Sequence, residues 1–161
     1  MERTISGMMG KGSVNHNTRA FSAKNVDKER SRDNVDFCHE DIKAVYHELF
    51  DEALERYNAK QKRSDRKIEN YYEKIRQGKQ EKLFYEVIFQ IGNRDDMNVR
   101  SEEGQLAKQI LSDFMADFQS RNPNLHVFSA HLHMDEETPH IHIDFVPVIT
   151  GSKRGLDTRV S

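Results

Sequence analysis

Two short histidine-rich segments constrain the fold of this chain more than any other feature. Histidine alternates with apolar residues in His131-Leu132-His133 and again in His140-Ile141-His142. Side chains two residues apart on a β-strand share a face, so each histidine pair lies on one face while Leu132 and Ile141 point to the other. The short connection 134–139 between the segments indicates an antiparallel hairpin.

Hydrophobic periodicity in the rest of the chain predicts an α/β protein of the α+β type, with an antiparallel sheet flanked by helices. The segment 83–91 is predicted to be a strand. Its alternating side chains place apolar groups on both faces, which favours a central position in the sheet. The first 37 residues are interpreted as a short strand followed by a long connection. The predicted strands are 5–9, 83–91, 125–133 and 140–148, and the predicted helices are 40–61, 64–77 and 101–122.

Composition excludes several classes of protein. The chain of 161 residues contains no run of about 18 apolar residues, so no membrane contact is expected from this segment. Its single cysteine, Cys38, cannot form an internal disulfide or a cysteine-based zinc site. The first 19 residues lack the apolar stretch of a signal peptide, so we expect a cytoplasmic protein.

The histidines themselves indicate a metal site. Of the eight histidines in the chain, His126, His131, His133, His140 and His142 fall within 17 residues. Three neutral imidazoles bind a divalent transition ion well, and coordination positions left open make such an ion a Lewis acid. The alternative is that these histidines are half-exposed strand residues bonded to water or to carbonyl groups.

Three blocks of sequence resemble the MobV-type (Mob/Pre) plasmid mobilisation relaxases, members of the HUH group of single-strand endonucleases. His133-Met134-Asp135-Glu136-Glu137-Thr138-Pro139-His140-Ile141-His142, followed by Pro147, resembles the family's signature motif. His16-Asn17-Thr18-Arg19, followed by Phe21, resembles its His-Asn-X-Arg motif. Asn25-Val26-Asp27-Lys28-Glu29-Arg30-Ser31, with Asn34 after it, resembles a third block. Two positions depart from the family pattern: Val35 replaces a frequent tyrosine, and His131 is an additional histidine.

The resemblance implies site- and strand-specific DNA nicking and rejoining at the origin of transfer of a plasmid or mobile element. It implies His16 as the nucleophile, which forms a covalent 5′-phosphohistidine intermediate without ATP. The implied metal ligands are His133, His140 and His142, with His131 as a further ligand or as a neighbour that supports one. The ion is expected to be Mn²⁺ or Mg²⁺. Glu136 is expected to act as a base or orienting group, or else as a ligand.

Other residues near the motifs receive weaker roles. Asp135 and Glu137 are predicted to be solvated residues of the turn. Arg19 and Arg30 are candidates to clamp a DNA phosphate or to position the loop. A basic segment over 60–82, with a local charge of +5, offers further backbone contacts, as does the C-terminal tail, although both can equally be solvated surface. The residues chosen from these two regions are Lys62, Arg63, Arg66, Lys67, Lys153, Arg154 and Arg159.

The resemblance also bears on domain organisation. Residues 1–161 are expected to form one catalytic domain that is truncated relative to longer family members. Its partner would be DNA, as an origin hairpin and a single strand. Contacts with the proteins of the transfer machinery would lie in C-terminal regions that follow this domain.

Three alternative functions remain at the level of sequence. A rolling-circle replication initiator shares the metal hairpin but uses tyrosine, for which Tyr71 and Tyr72 are the candidates. A non-catalytic, metal-dependent regulator would bind an origin hairpin without cutting it. A small metallohydrolase would show no salt-dependent affinity for oligonucleotides.

Overall fold

The computed structural model describes residues 4–21, 23–93 and 95–161, and an antiparallel sheet forms its centre. Five strands lie side by side in the order β1-β3-β5-β4-β2, and β6 pairs with the end of β5. This arrangement confirms the predicted fold class. The strands are β1 (Ile5–Met9), β2 (Val35–His39), β3 (Tyr85–Ile91), β4 (Leu125–His133), β5 (His140–Ile149) and β6 (Arg159–Val160).

Helices cover both faces of the sheet, and their ends carry the caps that the sequence offers. Asp41 and Ser101 accept hydrogen bonds from backbone N–H groups in the first turns of the two longest helices, which satisfies donors that have no partner within the helix. The helices are α1 (Val14–Asn17), α2 (Ile42–Ala59), α3 (Tyr71–Gln77), α4 (Glu102–Ala116) and α5 (Phe118–Arg121), with 3-10 helices at Lys28–Asp33 and Ser64–Arg66.

The two faces of the sheet are covered differently, and this difference creates the site. Helices α4 and α5 pack on one face, where Leu111 and Phe118 join a core that includes Ile141 and Ile143. Helices α2 and α3 pack on only part of the opposite face, where Phe50 lies in the same core as Phe128 and Val146. The rest of that face carries polar side chains from β3, β4 and β5.

Several predicted elements differ from the structure. The helix expected over 64–77 is wrong in its first half. The side chain of Asn58 forms hydrogen bonds with both the N–H and the carbonyl of Ile68, and the helix α3 begins only at Tyr71, where Asn70 caps its N-terminus. The helix over 101–122 divides at Asp117. The connection expected after the first strand contains α1, a 3-10 helix and the edge strand β2, and the short strand β6 was not predicted. Strand β3 is interior, but β5 is central.

Candidate active site

The hairpin of β4 and β5 brings three imidazoles together. Residue pairing places His133 opposite His140, and His142 shares their face. The ring centroids of these three histidines lie 4.9–5.3 Å apart. That spacing allows one nitrogen of each ring to approach a single ion at roughly 2.1 Å. The structure brings the three predicted ligands close together. Their ligand atoms fall into two overlapping groups, within which all atoms lie within 4.8 Å of one another: His133, Glu136 and His140, and His16, His133 and His142.

Each of the three rings has a polar neighbour at one nitrogen: a backbone carbonyl for His133 and His140, and a carboxylate for His142. His133 donates from Nε2 to the carbonyl of Asn17 at 2.8 Å, and His140 donates from Nδ1 to the carbonyl of Thr138 at 2.8 Å. His142 Nδ1 lies 3.3 Å from Glu86 Oε1. His133 Nδ1 and both ring nitrogens of His142 are buried without a hydrogen-bond partner in the described structure. Unpartnered buried nitrogens are costly, and this donor set fits a divalent transition ion.

The electrostatics of the cluster favour the neutral form that binds metal. Burial lowers the pKa of His133 to about 3, and burial together with nearby His142 lowers the pKa of His140. Both rings are therefore unprotonated near neutral pH. Neutral imidazole is the form that coordinates a cation.

His131 does not join this cluster, so its proposed role as a ligand is corrected. Its Nδ1 lies 2.6 Å from Asp36 Oδ1, and its Nε2 lies 2.8 Å from Ser129 Oγ. Both ring nitrogens are thus occupied by neighbours on β2 and β4. His131 differs from the prediction because Asp36 lies on β2, a strand that the sequence pattern did not reveal, and binds its ring.

The candidate nucleophile lies beside the three histidines. His16 is in α1, with its ring centroid 5.9 Å from that of His133 and 6.1 Å from that of His142. Burial and the nearby Arg19 guanidinium lower the pKa of His16, which keeps the imidazole neutral and nucleophilic. An open cleft of 510 Å³ lies over these residues and is lined by Met8, His16, Asn25, Ile88, Gln90, Glu136, Glu137, Thr138, His140 and His142.

Glu136 stands between the candidate nucleophile and the ligands. Its Oε1 lies 3.5 Å from His16 Nε2, 3.8 Å from His140 Nε2 and 3.9 Å from His133 Nδ1. Arg19 donates to the same oxygen at 2.8 Å, and Asn25 donates to Oε2 at 3.0 Å. These contacts orient the carboxylate toward the cleft, which is compatible with each role predicted for it.

The prediction that Asp135 is a solvated turn residue is wrong. Its side chain is fully buried and accepts hydrogen bonds from Arg19, Ser31 and Asn34. Although burial opposes ionisation, these donors and the charge of Arg19 lower the pKa of Asp135 below its ordinary value. Arg19 itself has a left-handed backbone with φ of 59°, an unusual conformation for a residue other than glycine. Glu137, by contrast, is exposed as expected.

Sequence reasoning missed two buried carboxylates next to His142. Glu86 on β3 and Asp144 on β5 are paired side by side on neighbouring antiparallel strands, and both accept hydrogen bonds from the Asn17 amide. Burial and the adjacent Glu86 raise the pKa of Asp144 to about 8. Burial alone would raise the pKa of Glu86, but its polar contacts with His142, Asp144 and Asn17 outweigh burial and lower that pKa to about 2. Acidic residues inside otherwise apolar strands were the available signal.

The predicted DNA-contacting side chains are distributed over three regions. Arg30 lines a 260 Å³ cleft that also includes Asn25, Arg100 and Glu136, next to the histidines. Arg159 is 3.4 Å from Glu81 and 3.2 Å from Ser152 Oγ. Within the described chain, no hydrogen bond or ion pair joins these more distant cations to the cluster: Lys62, Arg63, Arg66, Lys67, Lys153, Arg154 and Arg159.

The two candidate tyrosines of a replication initiator lie elsewhere. Tyr71 is buried in the core under α2, and its hydroxyl accepts a hydrogen bond from Val160 N at 3.1 Å. Tyr72 is half-buried, with its ring 5.3 Å from that of Tyr46. The structure therefore does not bring either hydroxyl to the histidine cluster.

Among the described residues, no helix has the length and apolar character needed to cross a membrane.

Comparison with known proteins agrees with this combination of fold and site. The profile of the family described as plasmid recombination enzyme (Mob_Pre) matches residues 9–160. The chain belongs to this family of plasmid recombination enzymes. No curated protein matches the chain significantly.

Solved structures with the same fold include the relaxase domain of MobM, described as MOBV and Mob_Pre. Its Mn-bound complex with 22-nucleotide oriT DNA of plasmid pMV158 at pH 4.6 is 24% identical to this chain and has a TM-score of 0.55, covering 92% of this chain and 73% of that one. The corresponding complex at pH 5.5 is 23% identical to this chain and has a TM-score of 0.53. The match covers 94% of this chain and 73% of the MobM chain. These similarities establish the fold.

Proposed function

We propose that residues 1–161 form a relaxase domain that nicks and rejoins one strand of plasmid or mobile-element DNA at its origin of transfer. The observation that carries this proposal is the convergence of open imidazole nitrogens from β4 and β5 beside His16. A nucleophile and a cation site at this distance are the two requirements of metal-assisted phosphoryl transfer.

Family membership and the solved relatives support the same reaction. The MobM relaxase domain is bound to oriT DNA and to manganese in the structures that share this fold. We infer Mn²⁺ or Mg²⁺ as the ion, held by His133, His140 and His142. When bound, the ion would supply Lewis-acid stabilisation of charge on the oxygens of the scissile phosphate.

The residues of the chain supply the nucleophile and its positioning. The neutral His16 ring attacks the phosphorus, a P–N bond forms, and the bond from phosphorus to the 3′ oxygen breaks. The 3′ oxygen leaves with the bonding electron pair and takes up the proton that the imidazole ring loses from its other nitrogen. The DNA then carries a free 3′ hydroxyl, while its 5′ phosphate is attached to His16. Attack by a 3′ hydroxyl on this intermediate reverses the steps and reseals the strand, so no ATP is required.

Glu136 and Arg19 complete the arrangement around His16. Glu136 lies 3.5 Å from His16 Nε2, from where it orients the ring or accepts its proton. Arg19 Nη1 donates to the His16 carbonyl at 2.9 Å and lies 3.2 Å from His16 Nε2. This arginine fixes the backbone of the nucleophile and presents positive charge to an incoming phosphate.

DNA is the proposed partner, and the strand is proposed to follow the cleft above the histidines. Arg30 lies in the adjoining cleft beside Glu136 and is proposed to contact a phosphate there. The more distant basic side chains remain candidates for non-specific contacts with the DNA backbone. A cytoplasmic location follows from the proposed substrate, and proteins of the transfer machinery are proposed as further partners.

Nicking of supercoiled plasmid DNA tests the proposal. A plasmid that carries the origin region of the element encoding this chain should become relaxed in the presence of Mn²⁺ and stay supercoiled with a metal chelator. The His16→Ala variant should bind the same DNA without relaxing it. If the wild-type protein binds the origin specifically but never nicks it, the protein is a metal-dependent DNA-binding regulator and the proposed reaction is wrong.

A further inference from the structure

We propose that Asn17 and Glu86 are positioning residues that fix the nucleophile segment against the metal-binding histidines. The two roles rest on the proposed function, because they concern how His16 is placed for attack on DNA. Both side chains are buried, with exposed fractions of 2% for Asn17 and 3% for Glu86, so neither is available to contact a nucleic acid.

Asn17 connects the nucleophile segment to three strands of the sheet, β3, β4 and β5. Its carbonyl accepts the hydrogen bond from His133 Nε2 at 2.8 Å, and its side-chain amide donates to Glu86 and, at 3.2 Å, to Asp144. His16 precedes Asn17 directly in α1, a helix of four residues. A helix this short is not stable alone, so its position depends on such anchors. Displacement of Asn17 therefore displaces His16.

Glu86 makes contact with three separate parts of the site. Its Oε1 lies 3.3 Å from His142 Nδ1 and accepts a hydrogen bond from Gly12 N at 3.4 Å, while its other oxygen accepts from Asn17. A Cβ atom at Gly10 would lie 1.9 Å from Oε1. The turn that leads from β1 into α1 is thus packed directly on this carboxylate, and a side chain at Gly10 would have to displace it.

These contacts give the two residues different effects. A carboxylate behind a ligating imidazole fixes the ring orientation and increases its basicity, so Glu86 acts on metal affinity through His142. Asn17 bonds His133 through its main chain, which a side-chain substitution retains. Its amide instead holds α1 against the sheet, so Asn17 acts on the placement of His16. Glu86 therefore bears on metal affinity as well as on the position of α1, whereas the Asn17 side chain bears on the placement of His16.

The test compares Asn17→Ala and Glu86→Gln in the full chain, with Mn²⁺ and single-stranded origin DNA as probes. At saturating DNA, Asn17→Ala should slow single-turnover formation of the covalent adduct about a hundredfold, the loss expected for a misplaced reacting group. Its dissociation constants for DNA and Mn²⁺ should stay close to those of the wild type. Glu86→Gln should raise the dissociation constant for Mn²⁺ about tenfold. The matched controls Asn15→Ala, on the exposed side of α1, and Glu55→Gln, on the surface of α2, should match the wild type in all three measurements.

Asn17→Ala reacting at the wild-type rate overturns the role of Asn17, and an unchanged Mn²⁺ affinity of Glu86→Gln overturns that of Glu86. If Asn17→Ala does not fold, Asn17→Gln replaces it, because its longer amide retains the donor but should displace α1 and slow the reaction. A wild-type rate in that variant contradicts the proposal. A wild-type protein that forms no adduct overturns the proposed function instead, and the Mn²⁺ affinity of Glu86→Gln still decides the role of Glu86.

Discussion

Arg19 and Asp135 are 116 positions apart in the chain, yet the arginine Nε donates to the aspartate Oδ2 at 2.9 Å, and Nη2 donates to Oδ1. This bidentate pair joins the segment that carries His16 to the turn that follows His133. Asp135 has no exposed side-chain surface, and Arg19 retains 12%. The pair therefore holds the candidate nucleophile close to the histidine hairpin.

Breaking this pair should destabilise the protein. Asp135→Ala is expected to lower the free energy of unfolding by about 3 kcal/mol, because it leaves a mostly buried guanidinium without its main partner. Urea unfolding measures the change. Asp157→Ala is the control, since Asp157 forms a similar bidentate pair with Arg56 on the exposed surface and should give a much smaller loss. Equal losses in the two variants would show that burial of the Arg19–Asp135 pair contributes nothing.

Metal affinity should distinguish two histidines of the same hairpin. His140→Ala removes one of three ligands and should weaken Mn²⁺ binding by at least about a hundredfold. His131→Ala should leave Mn²⁺ affinity unchanged, because both nitrogens of His131 are engaged by Asp36 and Ser129. Isothermal titration calorimetry on the metal-free protein measures both constants. A comparable loss in His131→Ala would restore His131 as a ligand.

The stability of the metal-free protein should fall as the pH drops below about 6.5. The ordinary pKa of His133 is 6.5, whereas burial lowers it to about 3 in the folded state. Between these values the unfolded chain binds the proton and the folded chain does not, so acid favours unfolding. One such group contributes a slope of up to about 1.4 kcal/mol per pH unit. Urea unfolding at several pH values should give a flatter dependence for His133→Gln, and an equally steep one would contradict the burial of a neutral His133.

The basic side chains near the 3-10 helix Ser64–Arg66 have a test of their own. Replacing Lys62, Arg63, Arg66 and Lys67 together with alanine should lower affinity for single-stranded DNA equally for all sequences. The slope of log affinity against log salt should become shallower by up to about 3, as expected for four lost phosphate contacts. Fluorescence anisotropy over a range of salt concentrations measures this slope. If it does not change, these residues are solvated surface.

The sequence predicted the histidine hairpin well because its information is local. Period-two alternation fixes which side chains of β4 and β5 share a face, and the short connection fixes their pairing, so the convergence of His133, His140 and His142 follows from neighbouring residues. Strand β2 was missed because it is short, lies at the edge of the sheet and combines polar residues with few apolar ones.

The supporting contacts of the site could not be predicted from local pattern. Glu86 reaches His142 only because β3 pairs with β5, and nothing in the alternation of 83–91 specifies that neighbour. Asp135 was expected in solvent because it follows a strand in an acidic turn. Its burial depends on Arg19, Ser31 and Asn34, which are about a hundred residues away in the chain.

The chemical identity of the DNA attachment tests the central proposal most directly. Wild-type protein is incubated with Mn²⁺ and labelled single strands that span the origin region, and the DNA–peptide adduct is digested and located by mass spectrometry. The adduct should be attached at His16, should be labile in acid and stable in base as a P–N bond is, and should be absent from His16→Ala. An acid-stable adduct at Tyr71 or Tyr72, or nicking by His16→Ala at the wild-type rate, would contradict histidine catalysis at this site.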